Sequence, residues 1–221
     1  MLGRVANTIY WMNRYLERAE NYARFMDVNY NLSLELPPNE EEQWKPLILI
    51  TCDWEFYKKL HEKVEKNKVI NFMAFEEQNP YSIFNCIVNA RENARAVRTE
   101  ITKEVWEQIN ALYYLVKNGS EKKRLGDTDL RQFFTDIKNG CQLLNGIYDA
   151  TISRNEGYNF AKLGQFLERA DKTSRVLDAK YHLLLSSPNQ VGSTLDLIQW
   201  AAVLKSVSAY DMYRKKYGKL T

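Results

Sequence analysis

Proline and glycine are scarce in this chain, with five and nine residues respectively among 221. Both interrupt helices and mark the turns of all-β sandwiches and barrels. Their scarcity therefore excludes a loop-rich β fold and favours long helices. Cysteine is rarer still: Cys52, Cys86 and Cys141 are widely spaced, and no Cys-x-x-Cys occurs. This pattern excludes a zinc knuckle and a redox dithiol, and it predicts reduced, buried thiols in a cytoplasmic protein.

Long apolar runs are also missing. No stretch approaches the roughly 18 residues that a membrane-spanning helix needs, and the N-terminus enters a helical pattern without the apolar core of a signal peptide. Charge is nearly balanced, with 31 basic and 28 acidic residues and a net charge of +3. A nucleic-acid binder would carry a concentrated basic patch. We therefore expect neither a membrane nor a nucleic acid as a partner.

Helical periodicity dominates the sequence, and no strand pattern is found. An uninterrupted run over residues 6–36 predicts a long first helix, and residues 47–64 predict a second. Asn79-Pro80 predicts another helix start, with Asn79 as the N-cap. Residues 193–216 predict a single last helix. The fold class that follows is an all-α helical bundle.

A repeated stretch is the most informative feature of the chain. Residues 15–30 and 166–181 align without a gap, and seven of the sixteen pairs are identical. Both stretches contain the dipeptide Glu-Arg. We infer an internal duplication within a single helical domain over residues 1–221. The first repeat unit spans about 1–150, and the second, over about 151–221, is incomplete.

Each repeated helix carries a charged stripe opposite a broad apolar face, when its residues are placed on a helical wheel. Three interpretations stay open: an ion-pair network that holds the two helices in register, a ligand or partner site, or a solvated face with i,i+4 pairs. The candidate residues are Glu17, Arg18, Glu20, Arg24, Glu168, Arg169, Asp171 and Arg175. The apolar face of the second copy comprises Leu163, Phe166, Leu167, Ala170 and Leu177.

A second candidate cluster consists of arginines alone. Arg91, Arg95 and Arg98 follow the spacing i, i+4, i+7, which places them on one side of a helix. Aligned guanidinium groups require carboxylates or phosphates as partners. Either Glu17, Glu168 or their neighbours supply the carboxylates, or the cluster binds an anionic ligand such as a nucleotide or a peptide carboxylate.

Signatures of known catalytic sites are mostly absent. The sequence has no His-Glu-x-x-His, P-loop or Gly-x-Ser-x-Gly motif. The two histidines lack the Glu-x-x-His partners of a di-iron bundle. We therefore predict no metal and no cofactor, and the balance of these observations is against an enzyme.

Three motifs carry a family resemblance: WMNRYLERAEN at residues 11–21, ARENAR at 90–95 and LGQFLERAD at 163–171. With these motifs the chain resembles the alpha-E family, a bacterial all-helical domain of unknown function named for its Glu-Arg motif. Such domains occur beside, or fused to, a circularly permuted ATP-grasp ligase and a transglutaminase-like cysteine protease. The resemblance therefore implies a peptide-ligation or peptide-processing system with those two enzymes as possible partners. Family members typically extend further at the C-terminus, so this chain is expected to be a shortened one.

Three functions are compatible with these features. The first is a non-catalytic helical module that docks an ATP-grasp ligase or holds its peptide substrate. The second is an enzyme that uses clustered Glu and Arg on an amide or an acyl-phosphate. The third is a purely structural bundle that forms homo-oligomers, because an incomplete repeat should expose apolar helix faces.

Overall fold

The computed structural model describes residues 1–35, 39–121, 126–181 and 191–218, and within these ranges no strand is present. The predicted all-α class is confirmed. No helix within them is long and apolar enough to cross a membrane. The helices are α1 (Gly3–Glu35), α2 (Glu40–Thr51), α3 (Trp54–Leu60), α4 (Lys66–Ala74), α5 (Ile83–Ala96), α6 (Lys103–Glu121), α7 (Asp127–Thr151), α8 (Glu156–Ala179), α9 (Thr194–Ser206) and α10 (Tyr210–Tyr217).

Two predicted helices are each divided in two by a residue in the left-handed conformation. Cys52, with φ of 62°, separates α2 from α3, and Ser208, with φ of 59°, separates α9 from α10. A left-handed residue stops a helix because its backbone cannot continue the right-handed path. Glycine usually occupies such positions, and its absence here explains why the sequence pattern predicts unbroken helices.

The start of α5 also differs from the prediction. Ser82, not Asn79, is the N-cap, and its side chain accepts a hydrogen bond from the backbone amide of Asn85. Asn79 is buried and forms a turn instead, since its Oδ1 accepts from the amide of Tyr81 and its Nδ2 donates to the carbonyl of Phe72. Asparagine favours both structures, and the tertiary contact with Phe72 decides between them.

One compact unit comprises Met1–Arg24 and Ile70–Ala170. In it α5 packs on α6 and α6 on α7. Its fully buried side chains include Met12, Ile87 and Ile137. Apolar residues at helical spacing line one face of each helix, and their burial provides the main stabilisation of the unit.

The other compact unit comprises Phe25–Val69 and Asp171–Thr221. In it α2 contacts α3 and α9 contacts α10. Trp44, Ile48 and Tyr57 are buried, and so is the charged Lys180. Each unit takes residues from both predicted repeats, because the division falls within α1 and α8. The duplication itself stays a prediction.

Candidate functional site: the paired Glu-Arg motifs

The two Glu-Arg motifs lie against each other and pair reciprocally. Arg18 donates from Nε and Nη2 to the two carboxylate oxygens of Glu168, at 2.7 and 2.9 Å. Arg169 donates in the same way to Glu17, at 2.8 and 3.0 Å. Both pairs are bidentate, the strongest arrangement of guanidinium and carboxylate. The acid of each motif is therefore bound by the arginine of the other.

α1 and α8 run parallel to each other where the motifs meet. The contacts advance in the same direction along both helices, from Met1 with Glu156 to Glu17 with Arg169. Between them Gly164 faces the backbone of Tyr10, and a Cβ at that position would collide with the Tyr10 carbonyl oxygen. The close approach therefore depends on glycine at position 164.

Glu168 is the centre of the network. It is fully buried, and Arg14 donates to it from Nε at 2.8 Å in addition to the two bonds from Arg18. The guanidinium of Arg18 also lies 4.6 Å from the centroid of the Tyr81 ring. Burial, the largest single effect, lowers the pKa of Arg18, but the hydrogen bonds with Glu168, its charge and the nearby Cys86 and Tyr22 together raise it. Arg18 is therefore a permanent counter-charge for Glu168.

Glu17 lies in a different environment, because its arginine is half exposed. The side chain of Arg169 is 48% exposed, whereas that of Glu17 is 3% exposed. The hydrogen bond with Glu17 raises the pKa of Arg169 despite partial burial. Asn21 completes the site by donating to Oε1 of Glu17 at 3.3 Å. The reciprocal pairs are therefore alike in geometry but unequal in burial.

Glu20 extends the charged cluster along α1. It accepts from Arg24 at 2.5 Å and from Gln142 of α7 at 3.3 Å. Burial and the nearby charge of Glu17 raise the pKa of Glu20, more than these two donors lower it. Burial likewise raises the pKa of the neighbouring Cys141 thiol well above its usual range. The environment at this end of the cluster therefore favours the protonated forms of Glu20 and Cys141.

Asp171 and Arg175 belong to the other compact unit and form a local pair. Arg175 donates from Nε to Asp171 at 2.9 Å, and Lys172 donates to the same carboxylate at 2.9 Å. Burial opposes ionisation of Asp171, but the two cations prevail and lower its pKa. Arg175 also contacts the Sγ atom of Cys52. Cys52 is exposed, which corrects the expectation that all the thiols are buried.

The orientation of α8 is the reverse of what an apolar stripe usually indicates. Polar side chains face inward, since Gln165, Glu168 and Lys172 are buried, although Arg169 and Asp178 of the charged side are exposed. The apolar side faces outward, and Leu163, Phe166, Leu167 and Leu177 are exposed. The arginines of α1 explain this reversal, because the carboxylate of Glu168 must be turned toward Arg14 and Arg18.

The arginine cluster of α5 does not join this network. Arg91 donates to Asn110 at 2.7 Å and lies 4.2 Å from the centroid of the Tyr113 ring. Arg95 pairs with Glu92 at 2.5 Å, and the exposed Arg98 lies near the Trp106 ring. The expected supply of carboxylates by Glu17 and Glu168 is therefore wrong for these arginines. Glu92 and aromatic faces take that role.

Four members of the site are not predicted from the sequence: Arg14, Asn21, Tyr81 and Gln142. Arg14 precedes Arg18 by one helical turn, and that spacing could have identified it as a second partner of the same acid. Tyr81 and Gln142 come from distant parts of the chain, and no spacing rule connects them with the motifs. Only the fold places them there.

The arrangement holds helices together and offers no obvious free acid or base. Both motif carboxylates are buried and bound by guanidinium groups. Within the part of the chain that the structure describes, no three His, Cys, Asp or Glu side chains are grouped as metal ligands. Removal of one partner from a buried ion pair leaves an uncompensated charge, so these pairs tie α1 to α8.

Comparison with known proteins assigns the chain to a family but to no activity. Two curated relatives match, uncharacterized proteins of Mycobacterium bovis and Mycobacterium tuberculosis, each 21% identical over 193 residues. The alignment covers 80% of this chain and only 22% of either relative. No solved structure matches. The model of the Alpha-E family, described as a predicted alpha-helical domain with a conserved ER motif, matches residues 1–221, and the chain therefore belongs to that family.

Proposed function

We propose that this domain is a non-catalytic docking module that binds an ATP-grasp-type peptide ligase, or presents the peptide substrate of that ligase. The exposed apolar side of α8 is the observation that carries the proposal. We define the α8 stripe as Phe160, Leu163, Phe166, Leu167 and Ala170, all within one compact unit. A transglutaminase-like protease is a further partner of the same system.

The α8 stripe is an exposed apolar helix face of the kind that binds another protein. Leu163, Phe166 and Leu167 are 47%, 55% and 46% exposed. Their spacing places them within one third of the helix circumference. Large contiguous apolar surfaces are rare on proteins that function alone, and they mark interaction sites. An apolar helix face of this kind fits a hydrophobic groove on another protein.

The internal pairing of the Glu-Arg motifs supports a docking role over catalysis. A general acid or base must reach its substrate, yet Glu168 is fully buried and bound by Arg14 and Arg18. The motifs instead determine which side of α8 reaches the surface. In this proposal they support the docking surface indirectly, by holding α8 with its apolar side outward.

Co-purification with a cognate ATP-grasp-type ligase tests the proposal. The natural chain should retain the ligase, and the double variant Leu163→Glu/Leu167→Glu should lose it without unfolding, because both side chains are already exposed. Leu143→Glu, an exposed leucine on α7 outside the α8 stripe, serves as the matched control and should bind normally. Failure of the natural chain to bind the ligase or change its activity would refute the proposal.

Light scattering distinguishes the structural alternative. A dimer of the natural chain that the same double variant converts to monomer, together with no ligase binding, would assign the α8 stripe to self-association. Turnover of an amide or an acyl-phosphate that Glu17→Gln abolishes while the variant remains folded would instead favour an enzyme.

A further inference from the structure

A cavity of about 910 Å³ lies within the compact unit of Phe25–Val69 and Asp171–Thr221. Side chains of α1, α2, α8 and α9 line it, and most are apolar, among them Phe25, Leu32, Val176 and Val203. Its volume lies in the range of small-molecule sites, about 300–1,000 Å³. An apolar wall of this size accommodates a hydrophobic ligand.

Asn29 supplies the cavity with an unsatisfied donor. This residue lines the cavity and is nine-tenths buried. Among the described residues, its Nδ2 has no hydrogen-bond acceptor. A buried amide without a partner is costly, and native structures keep few of them. An oxygen atom of a bound ligand would satisfy it.

Gln199 provides a second amide on the cavity wall. Its Oε1 accepts from Nζ of Lys180 at 2.8 Å, and Lys180 is itself held by Asp196 at 2.6 Å. These bonds fix the orientation of the Gln199 amide, so its nitrogen is the atom left to donate. The cavity wall thus carries amides from α1 and α9, and the amide nitrogen of Asn29 lacks an acceptor among the described residues.

The lining of the cavity includes one basic and one acidic side chain. Lys45 and Glu41 both line the cavity and form an ion pair at 3.2 Å. The charges of the lining residues therefore sum to zero, so the wall carries no net charge to attract an anion or a cation. A neutral hydrogen-bond acceptor therefore suits the cavity better than an anion or a cation.

We propose that the cavity binds a neutral molecule with an apolar body and a carbonyl oxygen, such as an aromatic or aliphatic amide. The carbonyl accepts from Asn29, and the apolar body fills the space between α1, α2 and α9. This site is independent of the α8 stripe, so either proposal can fail alone.

Benzamide and benzene are the matched probes, since they share a ring and only benzamide has the carbonyl. Titration followed by NMR shifts of the lining residues should show benzamide binding about five- to tenfold more tightly, as one hydrogen bond provides. In Asn29→Leu the two probes should bind equally. Asn29→Asp, which keeps the size but has only acceptors, should lose the preference as well.

A cavity-filling variant tests the location. Ala202 lines the cavity, so Ala202→Trp should abolish binding of both probes. The adjacent Ala201 is not among the lining residues, so Ala201→Trp should leave both affinities unchanged. Equal affinity of the natural chain for both probes, an unchanged preference in Asn29→Leu and Asn29→Asp, or no binding at all would overturn the inference.

Discussion

At the scale of single residues, the unequal burial of the two motif pairs predicts unequal costs of breaking them. Glu168→Gln leaves two largely buried arginines without a counter-charge, and it should lower the free energy of unfolding by about 3–5 kcal/mol. Glu17→Gln leaves only the half-exposed Arg169 without its counter-charge, and it should lower the free energy of unfolding by about 1–3 kcal/mol. Urea unfolding of both variants measures the difference.

An exposed pair provides the control for that comparison. Glu92 and Arg95 are both well exposed, so Glu92→Gln should cost less than about 1 kcal/mol. Equal losses in Glu92→Gln and Glu168→Gln would show that the motif pairing contributes nothing special. Full stability of Glu168→Gln would contradict the structural role of the motif.

Glu20 should give the protein a pH dependence of its own. Burial and Glu17 raise the pKa of Glu20 above its ordinary value of 4.5, so the folded state holds this proton more tightly than the unfolded state. Stability from this group is therefore present at low pH and is lost as pH rises from about 4.5 through the raised folded pKa. In Glu20→Gln that loss disappears.

The measurement compares urea unfolding of the two proteins at pH 5 and pH 7.5. Glu20→Gln should gain stability relative to the natural chain as pH rises. In Glu20→Gln, Arg24 loses its acidic partner. This loss changes the free energy of unfolding by the same amount at both pH values, because Arg24 stays charged at both. Parallel pH profiles of the two proteins would show that Glu20 ionises normally.

At the scale of elements, the close approach of α1 and α8 depends on one glycine. A Cβ at position 164 would meet the carbonyl oxygen of Tyr10, so Gly164→Ala should destabilise the protein by about 1–3 kcal/mol. Gly146, within α7, has nothing within 4 Å of its Cβ position. Gly146→Ala should therefore stabilise by about 0.5–1 kcal/mol, because alanine favours a helix.

Thermal unfolding of these two variants separates packing from helix propensity. Opposite signs of the change in Tm are expected. A stabilising Gly164→Ala would mean that the two helices do not approach each other at this point.

The sequence predicts the helices well because apolar spacing is a local property. Long periodic runs such as α1 and α8 are recognisable without tertiary information. Their breaks at Cys52 and Ser208 are not, since neither residue type signals a left-handed turn. The inverted burial of α8 is hidden for a similar reason. Periodicity identifies an apolar side of a helix but cannot show that arginines on a distant helix will draw the opposite side inward.

At the scale of the whole molecule, the reactivity of the three cysteines measures how fast the protein unfolds. Cys52 is exposed, whereas Cys86 and Cys141 are buried. A thiol reagent should modify one cysteine quickly and the other two only as fast as the protein unfolds. Stopped-flow absorbance with Ellman's reagent measures both phases, and Cys52→Ser should remove the fast one. Rapid modification of three thiols in the natural chain would contradict the packing around Cys86 and Cys141.

The pairing of Arg18 with Glu168 also fixes an order of events during synthesis. Its two residues are 150 positions apart in the chain. At usual rates of translation the ribosome adds the intervening residues in about 8–30 s. Throughout that interval Arg14 and Arg18 have been made and Glu168 has not. The side of α1 that carries Arg14 and Arg18 is therefore among the last surfaces to find its permanent partner, and a nascent chain stalled before residue 168 should leave these arginines without their acid.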